Sequence, residues 1–247
     1  MGMLDGTIIG LGLTLQAVLL WRCLKERHWS HYPFFFGYLV YTFLRTVALV
    51  ALRELGHPAY PLIYWDSNLG AVLLWFCVAW EVFRNSFSPE SAVREIAGRV
   101  VVVLLVVLAA AFYLFSSQPG GFFPDLERKA GLAVVAWLVI VLLLARYYRV
   151  PISLNIWGMA MGLGLFTSVS IANFATFDII PSFLPFWRLV SPFSFVAMMV
   201  IWTWTLWSYA PEPKAEAFSK LQPQAALAGW KRSWSQFGLS IRRAIGL

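Results

Sequence analysis

Long apolar runs, broken at short intervals by polar or proline-containing stretches, dominate the pattern of this chain. A helix needs roughly 20 mostly apolar residues to cross a hydrocarbon core of ~30 Å, because it rises about 1.5 Å per residue. Seven segments meet that length: about Thr7–Leu24, Pro33–Leu52, Pro61–Phe83, Gly98–Phe115, Lys129–Tyr148, Ile152–Phe174 and Pro185–Tyr209. The pattern predicts an all-α membrane protein, a seven-transmembrane-helix bundle over residues 1–209 with no soluble domain inserted in its short connections.

Residues 210–224 (APEPKAEAFSKLQPQ) read as a polar, proline-rich linker. After it, over 225–247, the period changes. Leu227, Trp230, Trp234, Phe237, Ile241 and Ile245 fall within an arc of about 80° on a helix, flanked by Lys231 and Arg242 and faced by Arg232 and Arg243. A basic helix with tryptophan on its apolar side is built to lie in a membrane interface. The expected membrane-surface residues are therefore Trp230, Lys231, Arg232, Trp234, Phe237, Arg242 and Arg243, and the expected partners are the bilayer and its anionic inner-leaflet lipids. Docking on the bundle or in a partner protein's groove are the alternatives.

Charge fixes the expected orientation. With the N-terminus outside, 14 Lys and Arg lie on the cytoplasmic side, against Arg53, Arg128, Lys129 and Arg188 on the outer side. Cytoplasmic loops carry such an excess, so the prediction is N-terminus outside, C-terminus cytoplasmic. The N-terminal residues lack the positive region of a cleavable signal, so the first apolar run is read as a retained helix.

Composition excludes several classes. The chain is 60% apolar and only 13% charged, against roughly 45–50% and about 25% in soluble domains. A soluble or disordered chain is excluded. The net charge of +7 goes into topology and the tail rather than into a nucleic-acid surface. Cys23 and Cys77 are too few for a disulfide framework and read as free thiols.

Ionisable groups inside a bilayer cost free energy, so each calls for a reason. Arg45 in the second span and Asp66 in the third fall at similar depths, about 10 Å and 8 Å below the outer ends of their helices. An Arg45–Asp66 pair is expected, either as a structural clamp or as one wall of an outward-facing pocket. Asn68, Asn173 and Arg188 are the other candidate ligand-binding residues of the outer half. Asn155 and Asn173 are five turns apart on one helix line, close to Gly162 of a Gly158–Gly162 small-residue run, which predicts close helix packing. Glu81 and Arg84 are spaced to pair with each other.

No span carries a central lysine for a retinal Schiff base, and His28, His31 and His57 fall in connections expected to be solvated. No HExxH, GxSxG or phosphate-loop motif occurs. No cofactor, metal or catalytic residue is expected, and an enzyme is the least favoured class.

The stretches YPFFFGYLVYTFLR (Tyr32–Arg45) and YWDSNLGAVLLWFCVAWEVFRNSF (Tyr64–Phe87) resemble uncharacterised seven-helix proteins of bacterial inner membranes. The resemblance implies a fold and a location and no activity. The expected function is a non-enzymatic small-ligand sensor or binding bundle, or an accessory subunit with a membrane-protein partner or a second copy. The alternative is a small-solute or ion transporter working through Arg45 and Asp66.

Overall fold

The computed structural model describes residues 3–87, 122–147, 150–180 and 184–210. The expected fourth span, Gly98–Phe115, and the linker and tail over 211–247 lie outside the described residues. Every regular element described is an α-helix: α1 (Met3–Lys25), α2 (His28–His31), α3 (Pro33–Glu54), α4 (Tyr60–Ser86), α5 (Phe122–Tyr147), α6 (Leu154–Ile179) and α7 (Leu184–Thr205). Five contain a stretch long and apolar enough to cross a membrane: Gly6–Lys25, Pro33–Glu54, Tyr60–Ser86, Glu127–Tyr147 and Leu154–Asn173. In α7 the described apolar stretch is Leu189–Thr205. Six described helices are long and fall on six of the seven segments expected to span, and α2 is a single turn inside the first connection.

Local chemistry sets the ends. Pro33 opens α3, where a missing backbone N–H costs nothing. The same helix closes on Gly56, whose φ of 61° lets His57 N–H reach the Leu52 carbonyl and Gly56 N–H the Arg53 carbonyl. That glycine-dependent pairing satisfies carbonyls the helix leaves orphaned. Ser153 caps α6 by accepting from Ile156 N–H.

The six long helices form a closed ring, α1–α3–α4–α5–α6–α7 and back to α1, with α4 also touching α6 across it. The α6–α7 contact is the most extensive, and its cause is the predicted small-residue run. A Cβ at Gly158 would overlap the Thr205 side chain, and one at Gly162 would overlap the Trp202 indole. The glycines let the bulky Trp202 lie on the α6 backbone, where its Nε1 donates to the Met159 carbonyl at 3.4 Å. Gly70 plays the same part for α3 against α4: Tyr41 crosses it and donates to the Ser67 carbonyl at 2.6 Å.

Candidate functional site

Two polar layers lie at opposite ends of the ring. The first is held by the last turns of α1, α4 and α7 and the first turns of α3 and α6. Glu81 on α4 is fully buried and accepts from Phe34 N–H at 3.1 Å and Phe35 N–H at 2.8 Å. The first turn of a helix presents unsatisfied N–H groups and a positive dipole end, which a carboxylate meets well. Tyr32, the N-cap of α3, supplies no side-chain cap, so Glu81 fills that role from the neighbouring helix. The expected pairing with Arg84 also forms, at 3.8 Å, as a secondary contact.

The C-terminal end of α7 is gripped in the same way by three side chains. Asn155 donates to the Thr205 and Ser208 carbonyls at 3.1 and 3.0 Å and accepts from Ala210 N–H at 2.6 Å. Arg22 donates to the Trp207 carbonyl, and His28 sits 3.0 Å from the Leu206 carbonyl. His28 is fully buried rather than solvated as expected. The left-handed conformation of Arg27 (φ 55°) turns the chain back and starts α2, which carries the imidazole inward. Burial lowers the His28 pKa from its ordinary value, and the Leu206 carbonyl opposes that shift. His31 stacks on Tyr209, ring centres 4.3 Å apart. The asparagine line on α6 thus serves helix ends and packing: Asn155 caps α7, Gly162 receives Trp202, and half-buried Asn173 lies near the other end.

The second layer lines a half-open cavity of about 320 Å³ between the helices. Arg45 on α3 reaches it from near mid-helix, nine residues before Glu54 and so ~14 Å from that end. Its Nε donates to Ser67 Oγ at 3.0 Å, and its Nη2 to Asn68 Oδ1 at 3.2 Å and to the Tyr64 carbonyl at 3.5 Å. The guanidinium also lies 5.2 Å from the centre of the Tyr64 ring. Asn68 passes the contact on, its Nδ2 donating to Glu127 Oε2 on α5 at 2.7 Å. Arg45 and Glu127 are therefore joined through one amide, and the layer is net neutral.

The expected Arg45–Asp66 pair does not form. Asp66 is exposed, and the reason is helical phase. Tyr64, Ser67, Asn68, Ala71 and Trp75 share the inward side of α4 at helical spacing, and Asp66 is two residues, about 200°, away from Asn68. Equal depth was satisfied; facing was not. The acid that serves Arg45 is Glu127, which lies in the stretch expected to be an outer loop. Because α5 starts at Phe122, Glu127 is helical, one turn before the buried residues Ala130, Val134, Leu138 and Val141. Extending that apolar stripe one turn toward the N-terminus is the signal that finds it.

Below Arg45, at one and two turns on the same side of α3, come Thr42 and Tyr38. Thr42 accepts from Gln16 Nε2 of α1 at 2.6 Å and itself donates to the Tyr38 carbonyl at 2.8 Å. Trp75, Phe166 and Phe195 close the apolar side with edge-to-face contacts, ring centres 5.9 and 6.0 Å apart, and Ser191 and Pro192 of α7 complete the wall. Of the expected ligand-binding residues, Arg45 and Asn68 line the cavity, and Asp66 and Asn173 are not among its described lining. Arg188 is in the first turns of α7, and its side chain lies outside the described residues.

The chain matches no family model, no curated protein and no solved structure, so what the cavity does has to be read from its own groups.

Proposed function

We infer that this chain is a multi-pass protein of the bacterial inner membrane that binds a small polar ligand inside its helix bundle, as a sensor or accessory subunit rather than an enzyme. The reading includes seven spans, an outside N-terminus and a cytoplasmic C-terminal tail on the inner leaflet. Five apolar helices of spanning length support the membrane part. The basic residues Arg22, Lys25, Arg27, Arg84 and Arg146 at the Glu81 end of the bundle support the orientation.

The observation that carries the binding function is Arg45. A charged side chain near the middle of a spanning helix costs about 2.5–3.5 kcal/mol on insertion scales and is rarely kept without a use. Here it sits beside a cavity of about 320 Å³, at the lower end of the roughly 300–1,000 Å³ of small-molecule pockets. A structural clamp between α3 and α4 would need no such space. The transporter alternative loses the Arg45–Asp66 pair on which it rested.

The test is a thermal-shift screen of small polar solutes, anionic, cationic, zwitterionic and neutral, on the detergent-purified protein and its Arg45→Gln variant. Stabilisation of the native protein that is lost in the variant supports the reading. No stabilisation by any solute contradicts it.

A further inference from the structure

Donors and acceptors left open around the cavity specify the ligand more narrowly. Gln16 is fully buried. Its amide presents Nε2 to Thr42, whose hydroxyl donates to the Tyr38 carbonyl, and turns Oε1 elsewhere. That Oε1 is buried with no hydrogen-bond partner, a state that costs about 1–3 kcal/mol until a donor arrives. Glu127 uses Oε2 on Asn68, and among the described residues nothing donates to Oε1. Arg45 uses Nε and Nη2, and among the described residues its Nη1 donates to nothing. Around the cavity there are therefore one cationic donor, one neutral donor in Trp75 Nε1, which is buried with no hydrogen-bond partner, and two acceptors, one of them a carboxylate.

We propose that the cavity takes a small zwitterion of the amino-acid class, its carboxylate on Arg45 Nη1 and its ammonium on Gln16 Oε1 and Glu127. This rests on the reading that the cavity binds a ligand. Charge balance excludes lone ions, and the charged donor and carboxylate acceptor then favour a ligand carrying both charges over a neutral one. Arg45 and Glu127 already neutralise each other through Asn68, so a lone anion or a lone cation would leave a net charge in a low-dielectric interior. A zwitterion leaves none. The aromatic rings of Trp75 and Phe166 in the lining also suit an ammonium better than a hydroxyl. Size agrees: about 320 Å³ equals the share of about ten waters in the liquid, enough for an amino acid with a short side chain.

The experiment is calorimetric titration of the full chain in lipid nanodiscs with glycine, alanine, serine and β-alanine, against propionate, propylamine and glycerol. At least one zwitterion should bind ten times more tightly than all three monofunctional probes. On the unaltered protein, the methyl ester and the N-acetyl derivative of that zwitterion should each bind at least ten times more weakly, which needs no variant to fold. Arg45→Gln and Glu127→Gln should each weaken it tenfold or more, and Asp66→Asn should leave it unchanged. Propionate, propylamine or glycerol binding as well as the best zwitterion would overturn the ligand class and leave the binding reading standing. If no probe binds here and no solute stabilises the protein in the thermal screen, both fall.

Discussion

Asn68 donates a 2.7 Å hydrogen bond to Glu127, 59 residues away in the chain and on a different helix. Through its carbonyl the same side chain holds Arg45. One amide thus ties α3, α4 and α5 together where two opposite charges would otherwise be unmatched.

Asn68→Leu removes both links while leaving the two charges in place. Hydrogen bonds between membrane helices are worth about 0.6–1.7 kcal/mol each, so the loss should be about 1–3 kcal/mol, read as a lower midpoint in denaturant or heat. Asp66→Asn, on the exposed side of α4, should change stability by less than about 0.5 kcal/mol. Equal losses from the two substitutions would restore Asp66 as Arg45's partner.

How far the residues alone reveal this site depends on which rule is applied to them. Length and hydropathy place the long helices well, because a spanning helix must meet a fixed thickness whatever its neighbours. Arg45 and Asn68 stand out because polar groups inside such runs are conspicuous. Depth alone selects Asp66, since depth depends only on counting residues. Facing depends on which side of α4 is buried, and Asn68, Ala71, Val72, Trp75 and Val78 define that side only when the helical period is applied to them as a set. Glu127 is hidden for another reason: Glu127, Arg128 and Lys129 together look like a solvated loop, and only contact with Asn68 makes the first of them an interior residue. Glu81 as the cap of another helix and His28 as a buried grip on α7 are tertiary facts with no local signature.

The α6–α7 contact depends on absent side chains. Gly162→Leu would drive Trp202 off the α6 backbone. Overpacking of this kind typically costs about 1–3 kcal/mol, and a lower melting temperature should accompany it. Gly10→Ala on α1, where an added Cβ meets nothing within 4 Å, should be neutral or slightly stabilising. A Gly162→Leu protein that melts like the native one would show that the close approach is not needed.

Glu81→Ala should uncover the Phe34 and Phe35 N–H groups at the start of α3, at about 1–3 kcal/mol for buried donors left unsatisfied. Hydrogen exchange in the first turn of α3 should rise while the middle of the helix stays protected. Uniform exchange along α3 would mean that the carboxylate acts on the bundle as a whole rather than on that helix end.

The buried imidazole makes the stability of the α7 end depend on pH. His28 titrates below its ordinary value because burial disfavours the cation, so the unfolded chain binds a proton more readily, at about 6.5. Its contribution is complete above that pH and is lost as pH falls through the folded value. Arg22 on α1 and neighbouring His31 oppose protonation, whereas Glu26 favours it. The melting-temperature difference between the native protein and His28→Gln should be largest near pH 8 and shrink by pH 5. A difference that does not change with pH would contradict a neutral, buried His28.

The most direct test of the central claim is an experimental structure of the full chain in lipid nanodiscs, after incubation with the tightest-binding zwitterion. Arg45 should be joined to Glu127 through Asn68, with Asp66 facing away and density of a small molecule between Arg45, Gln16 and Glu127. A collapsed or lipid-filled cavity, or Arg45 bound to Asp66, would contradict it.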